Sequence, residues 1–126
     1  MSLKSIVVEG YEWEASTTNL PLLPMDSAYT FADVTSSTSK ADGKKILLST
    51  VIVISGTDES SQFTFAGGGS IMGSAQKIKA DLMPVVLEED KVDCPVICTN
   101  NSSGATTSGT ITVKITNAGQ SKAKGS

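Results

Sequence analysis

The side chains in this chain best suited to chemistry are two cysteines, Cys94 and Cys98, and three groups of carboxylates: Glu12 with Glu14, Asp58 with Glu59, and Glu88-Glu89-Asp90. A thiolate could attack a carbonyl or hold a soft metal. Paired carboxylates could share acid and base work on a glycosidic bond, and a denser oxygen set could hold calcium. Each group lacks its complement. The chain has no histidine, which removes every Ser-His-Asp or Cys-His nucleophile and every zinc site with a His ligand. All ten basic residues are lysine, so there is no guanidinium fork to clamp phosphate or carboxylate. The acidic stretches carry no D-x-D-x-D-G calcium loop. Glu12 and Glu14 alternate along a strand and read as a solvated face, and Glu88–Asp90 reads as a turn. No catalytic residue is assigned, and the chain reads as non-enzymatic.

The cysteine spacing, C-x-x-x-C with Pro95 between, is neither a redox motif nor a zinc knuckle. Ordinary buried thiols are the favoured reading, ahead of a disulfide. A metal on Cys94 or Cys98 comes behind both, and no cofactor is expected.

The chain has 126 residues, enough for one domain. Apolar residues make up 39% and charged residues 18%, which allows a modest core. About a quarter of the positions are Ser or Thr, a composition that suits exposed β-structure and polar loops. A net charge of -3 and a pI near 4.8 argue against nucleic acid and against a polybasic membrane anchor. No run of about 18 apolar residues offers a transmembrane helix. The segment Met1–Gly10 does not read as a secretory signal.

β-branched residues and period-two alternation dominate, with turn signals at short spacing. Strands are expected at Ser5–Gly10 continuing through Tyr11–Ala15, at Thr30–Val34, at Lys44–Ser55, at Gln62–Ala66, at Ser74–Ala80, at Met83–Leu87, at Lys91–Ile97 and at Thr110–Thr116. Tyr11 and Trp13 share one strand face. Asn19–Pro24 is an extended, proline-punctuated connection. Thr35–Asp42 reads as a polar loop ending in an Asp42-Gly43 turn, Thr99–Gly109 as a second polar loop, and Ala80-Asp81 as a turn. Gly67-Gly68-Gly69-Ser70 would need a terminal lysine and a following helix to cradle phosphate. Without them it reads as a flexible turn or a close backbone approach. No strict repeat is visible, although a lysine-flanked strand, acidic turn and strand recur weakly at Lys45–Asp58 and Lys77–Asp90. Residues 1–119 are read as a single β-domain and 120–126 as a loose tail.

One stretch resembles a known family. Lys77–Met83, then Pro84-Val85-Val86-Leu87, then Glu89-Asp90-Lys91-Val92-Asp93-Cys94-Pro95 is similar to the repeated element of PAAR-type spike-tip proteins of contractile injection systems, such as type VI secretion and phage tail-like particles. In that element Pro-Ala-Ala-Arg precedes an acidic turn and a strand ending in Cys-Pro. Gly109–Gly119 is similar to the family's later strand and turn. Pro84–Leu87 lacks the two Ala and the Arg, and the family's His zinc ligands have no counterpart here.

The resemblance implies an all-β, small single domain of short strands and hairpins, a conical PAAR-like cap. It implies a structural protein that caps and sharpens a trimeric VgrG-like or phage-spike protein, one copy per trimer, for puncture of a target membrane. Effector cargo could attach. Assembly would take place in the cytoplasm, with delivery at the particle tip outside or into the target cell. Residues expected to meet the spike are Pro84, Val85, Val86, Leu87, Ile111, Val113 and Ile115. The alternative reading is a β-sandwich binding or decoration module of a capsid, fimbria or carbohydrate, in which Tyr11 and Trp13 could stack on sugar rings.

Overall fold

The computed structural model describes residues 4–75, 79–80, 83–120 and 122–125. The chain is all-β, as expected: a small single domain built on one curled, half-barrel sheet. Among the described residues ten strands lie in chain order. They are β1 (Lys4–Ser5), β2 (Glu12–Ser16), β3 (Tyr29–Ala41), β4 (Lys44–Thr57), β5 (Phe63–Met72), β6 (Lys79–Ala80), β7 (Met83–Pro84), β8 (Lys91–Asn100), β9 (Thr106–Asn117) and β10 (Lys124–Gly125). A 3-10 turn at Asp26–Ala28 leads into β3. The main sheet is antiparallel in the order β2-β9-β8-β5-β4-β3, and β1-β10 and β6-β7 are short pairs.

Turn chemistry sets the hairpins. Asp42 and Gly43 both take positive φ, +52° and +76°, the conformation of a two-residue turn whose twist matches antiparallel strands. Asp58 holds the β4–β5 turn by accepting the Phe63 N–H at 2.9 Å, the Ser60 N–H at 3.1 Å and the Ser60 hydroxyl. The Ser60 hydroxyl first, and the Phe63 N–H after it, hold this carboxyl below the usual aspartate range. Asn100 Oδ1 accepts from Ser102 and Ser103 at the β8–β9 turn, the role of an Asx turn.

Three local expectations change. The polar stretch Thr35–Ala41 is strand, with register shifts at Val34/Thr35 and Thr35/Lys40. There the buried Ser36 hydroxyl accepts from Thr38 and Ser39. Thr99–Gly109 is likewise mostly strand, because Thr106–Gly109 pairs with Val96–Thr99. Ladder hydrogen bonds need no apolar side chains, and Thr suits a pleated surface. Gly67–Ser70 is not a turn but the middle of β5. A Cβ on Gly67 would lie 2.2 Å from the Pro95 carbonyl oxygen, and one on Gly68 2.2 Å from that of Ile52. This is the close backbone approach. β5 parts from β8 after the Gly67–Val96 pair while staying with β4 as far as Met72, and the sheet curls at that point. The strand expected at Ser74–Ala80 falls partly on residues 76–78, and the Ala80-Asp81 turn on Asp81, outside the described residues.

Two apolar clusters fill the domain. The larger lies inside the curl and includes Leu47, Ile52, Ile54, Phe65, Cys94, Ile111, Val113 and Ile115. The smaller seals one end with Ile6, Val8, Ile46, Leu48, Val85 and Leu87 among its members. The long apolar run of β4 has two causes. At Ile46–Leu48 the strand is buried on both faces, whereas from Thr50 to Ile54 only alternate residues are buried.

The tail expected to be loose is tied down over its described residues. Lys124 and Gly125 pair with Ser5 and Lys4. The buried Gln120 amide donates to the carbonyls of Ile6 and Ala123, and its oxygen accepts from the N–H groups of Lys122 and Ala123.

Candidate functional site

The smaller cluster is organised by a ring of backbone hydrogen bonds. The Val7 N–H donates to the Val86 carbonyl at 2.9 Å, the Val86 N–H to the Leu47 carbonyl at 3.2 Å, and the Leu47 N–H to the Val7 carbonyl at 2.9 Å. All three residues are fully buried in the larger core. Their immediate neighbours, Ile6 and Val8, Ile46 and Leu48, Val85 and Leu87, all point to the other side, into the smaller cluster. Three segments of one chain are therefore built alike and bonded head to tail around one point. The ring residues stand 40 and 39 residues apart in sequence. The signal was legible as three apolar triplets, Ile6-Val7-Val8, Ile46-Leu47-Leu48 and Val85-Val86-Leu87, but the weak lysine-and-acid echo located only two of them.

The outer face of the sheet is a second feature. Over residues 30–34 of β3, 49–55 of β4 and 64–72 of β5 its outward residues are Thr30, Ala32, Val34, Ser49, Val51, Val53, Ser55, Thr64, Ala66, Gly68, Ser70 and Met72, none of them charged, while the exposed Lys40, Lys44 and Lys45 stand at the far end of β3 and β4. Val51 is 48% exposed, Val53 49%, Met72 65%, and Ile97 on neighbouring β8 47%. Small partners sit opposite them: Ala32 and Ser70 beside Val51, Thr30 and Gly68 beside Val53, Ala66 beside Ile97. The result is a low, uncharged apolar face of the kind a soluble domain rarely leaves bare without use.

A third feature lies where the curled sheet fails to close. Its edge strands, β2 and β3, face each other through side chains instead of a ladder. The Trp13 ring lies 4.8 Å from that of Tyr29 and 4.9 Å from that of Phe31, and Tyr11 meets Phe31 edge-on at 6.2 Å. Outside this seam runs a groove of about 610 Å³ lined by Tyr11–Ala15, Leu23, Pro24, Asp26 and Tyr29. Burial, with the nearby Asp26 and Cys94, pushes the Tyr29 phenol up to about 12.

Six of the seven residues expected to meet a spike are interior. Val85, Val86, Ile111, Val113 and Ile115 have no exposed surface and Leu87 only 5%. Alternation placed Thr110–Thr116 correctly, whereas of Met83–Leu87 only Met83–Pro84 is strand; in both, the apolar side chains serve the domain's own core before any partner. Pro84 alone is exposed. Cys94 and Cys98 are free, buried thiols, the favoured reading. Both face the core from one strand, four residues and thus about 13 Å apart along it, too far to bond each other. Burial raises both thiol pKa values, with Asp93 adding to it at Cys94 and Asp58 at Cys98, so both thiols keep their protons. Among the described residues no group of three or more Cys, Asp or Glu is placed to hold a metal. Of the acidic groups, Asp90 is spent on structure, accepting from the Ser74 hydroxyl at 2.7 Å and the Leu87 N–H at 2.9 Å. Glu89 pairs with Lys4 across 3.5 Å on the surface. Glu12 and Glu14 are exposed on β2. No helix among the described residues is long and apolar enough to cross a membrane.

No family model matches the chain, and neither a curated protein nor a solved structure matches it.

Proposed function

We propose that this chain is a non-enzymatic structural tip that caps the trimeric β-helical spike of a contractile injection system, one copy to three spike chains. The observation that carries the reading is the Val7–Val86–Leu47 ring. A single chain seated on a threefold axis must offer each of three identical partners a similar surface, and symmetry in the partner constrains the interface. Three like segments bonded cyclically about one point, at nearly equal spacing in the sequence, are themselves buried and would give one chain a threefold frame beneath such a surface. The uncharged face around Val51, Val53 and Met72 suits a protein that spends its working life covered. In this reading the particle is assembled in the cytoplasm, the tip touches the target membrane only in passing, and effector cargo could attach to it.

Native mass spectrometry of the chain with the trimeric spike encoded beside it tests the reading. One copy per three spike chains supports it. A monodisperse free domain with no complex overturns it and favours a binding or decoration module of a capsid, fimbria or carbohydrate. The groove beside Tyr11 and Trp13 favours that second reading in part. Sugar stacking there is disfavoured, because Tyr29 and Phe31 already pack against the Trp13 ring.

A further inference from the structure

The groove at the unclosed seam has a geometry that points to its ligand. Five successive residues, Tyr11 to Ala15, line it. A groove on a strand's face meets only alternate residues, because successive side chains point to opposite sides. Contact with all five means that the groove runs along the strand's edge. β2 pairs with β9 on one side, and among the described residues its other edge pairs with no strand. An unpaired edge presents a row of N–H and C=O groups that template a further strand.

The walls are charged with one sign. Glu12, Glu14 and Asp26 line the groove, and no lysine does. The adjoining hollow past Leu23 and Pro24 adds Asp58 and Glu59, again without a lysine. Tyr29, only 8% exposed, lines the groove, and its hydroxyl has no hydrogen-bond partner. A buried hydroxyl left unpaired is costly, but this oxygen has no accessible surface, so a segment in the groove packs against the Tyr29 ring and not against its hydroxyl.

We infer that this groove takes an extended, lysine- or arginine-bearing peptide segment of a partner protein, added as a strand to the free edge of β2 with its cations on Glu12, Glu14 and Asp26. Backbone pairing gives such a mode its affinity, and alternate side chains give its selectivity. The site is separate from the ring and the outer sheet face, and stands or falls independently of the spike-tip reading.

Trp13 is the chain's single tryptophan and lines the groove, so its fluorescence reports occupancy directly. The probe is a capped peptide alternating lysine and valine, titrated into the full chain. Two controls go with it: the same peptide with glutamate for lysine, and a lysine peptide N-methylated at alternate amides. Only the first is expected to shift Trp13 emission saturably, with affinity falling as salt is raised. The double variant E12Q/E14Q, altered at two exposed positions, is expected to weaken it about fivefold while leaving the circular dichroism unchanged. No saturable shift with the lysine peptide, or equal binding of the glutamate peptide, overturns the cationic assignment. Equal binding of the N-methylated peptide overturns strand addition.

Discussion

The Tyr11 hydroxyl donates to Asp33 Oδ1 at 2.8 Å, joining the two outermost strands of a six-stranded sheet, β2 and β3. The sheet has curled far enough for its ends to meet, but the meeting is made by side chains. Y11F removes the bond and leaves the ring contact, so the expected loss is about 1 kcal/mol, read as a lower urea midpoint with unchanged slope. Burial, reinforced by Asp33, holds the Tyr11 phenol well above its ordinary value, and Tyr29 is pushed up to about 12. Above roughly pH 10 the unfolded chain loses these protons while the folded chain keeps them, so stability falls as pH rises. The contribution is fully present below that pH. Y11F should therefore also flatten the alkaline limb of the stability profile. An unchanged limb would show that the phenol is not held as the structure has it.

Gly67 and Gly68 set the curl, and replacing either by Ala is expected to be severe. The added methyl group would have to occupy space 2.2 Å from a carbonyl oxygen on a neighbouring strand, Pro95 in one case and Ile52 in the other. Backbone cannot yield as a flexible side chain can, so a cost of about 3 kcal/mol or more is expected, above the usual range for point changes. G104A is the control. It has open space around it but a φ of +75°, so it should cost only about 1 kcal/mol. Comparable melting of G67A and G104A would contradict the strand contact at Gly67.

The thiols give a third test. Cys94 and Cys98 are buried at 0% and 2% exposure, and burial is the larger cause of the raised pKa at each. The thiolate is the reactive form. Both cysteines should therefore resist a thiol reagent in the native chain and react together once denaturant unfolds it. Rapid labelling of either one at neutral pH would show an opening of β8 that the static fold does not contain.

How far the sequence could be read depends on what each residue had to satisfy. Thr110–Thr116 was legible as a strand because one face is core and the other solvent. Asp42-Gly43 was legible because positive φ at two successive positions admits few residue types. Gly67–Ser70 was misread as a possible turn because glycine marks both turns and close approaches, and only the neighbouring strand distinguishes them. The ring was hidden for another reason. Each of Val7, Leu47 and Val86 contributes one N–H and one C=O, groups that every non-proline residue carries, so the side chains reveal burial but not the cyclic pairing. The edge groove was illegible for a similar reason. Glu12 and Glu14 alternate as on any solvated strand, and only the sheet order shows that β2 is an edge.

The last prediction concerns the termini. Gln120 lies at 9% exposure and uses both ends of its amide, donating to Ile6 and Ala123 and accepting from Lys122 and Ala123. One side chain thus fastens the C-terminal strand to the segment that carries Val7 of the ring. Q120L keeps the apolar stem but strands the buried Ile6 carbonyl, and unsatisfied buried groups cost more than a hydrogen bond gains. A loss of about 2 kcal/mol is expected, with faster amide exchange at Ile6, whose N–H donates to the Ala123 carbonyl. Q120E keeps the two accepted bonds but sets a buried carboxylate oxygen against the Ile6 and Ala123 carbonyl oxygens, so near neutral pH it should fall below Q120L. If Q120L melts with the parent and Ile6 stays protected, the termini are held by β1–β10 pairing alone and the amide is incidental.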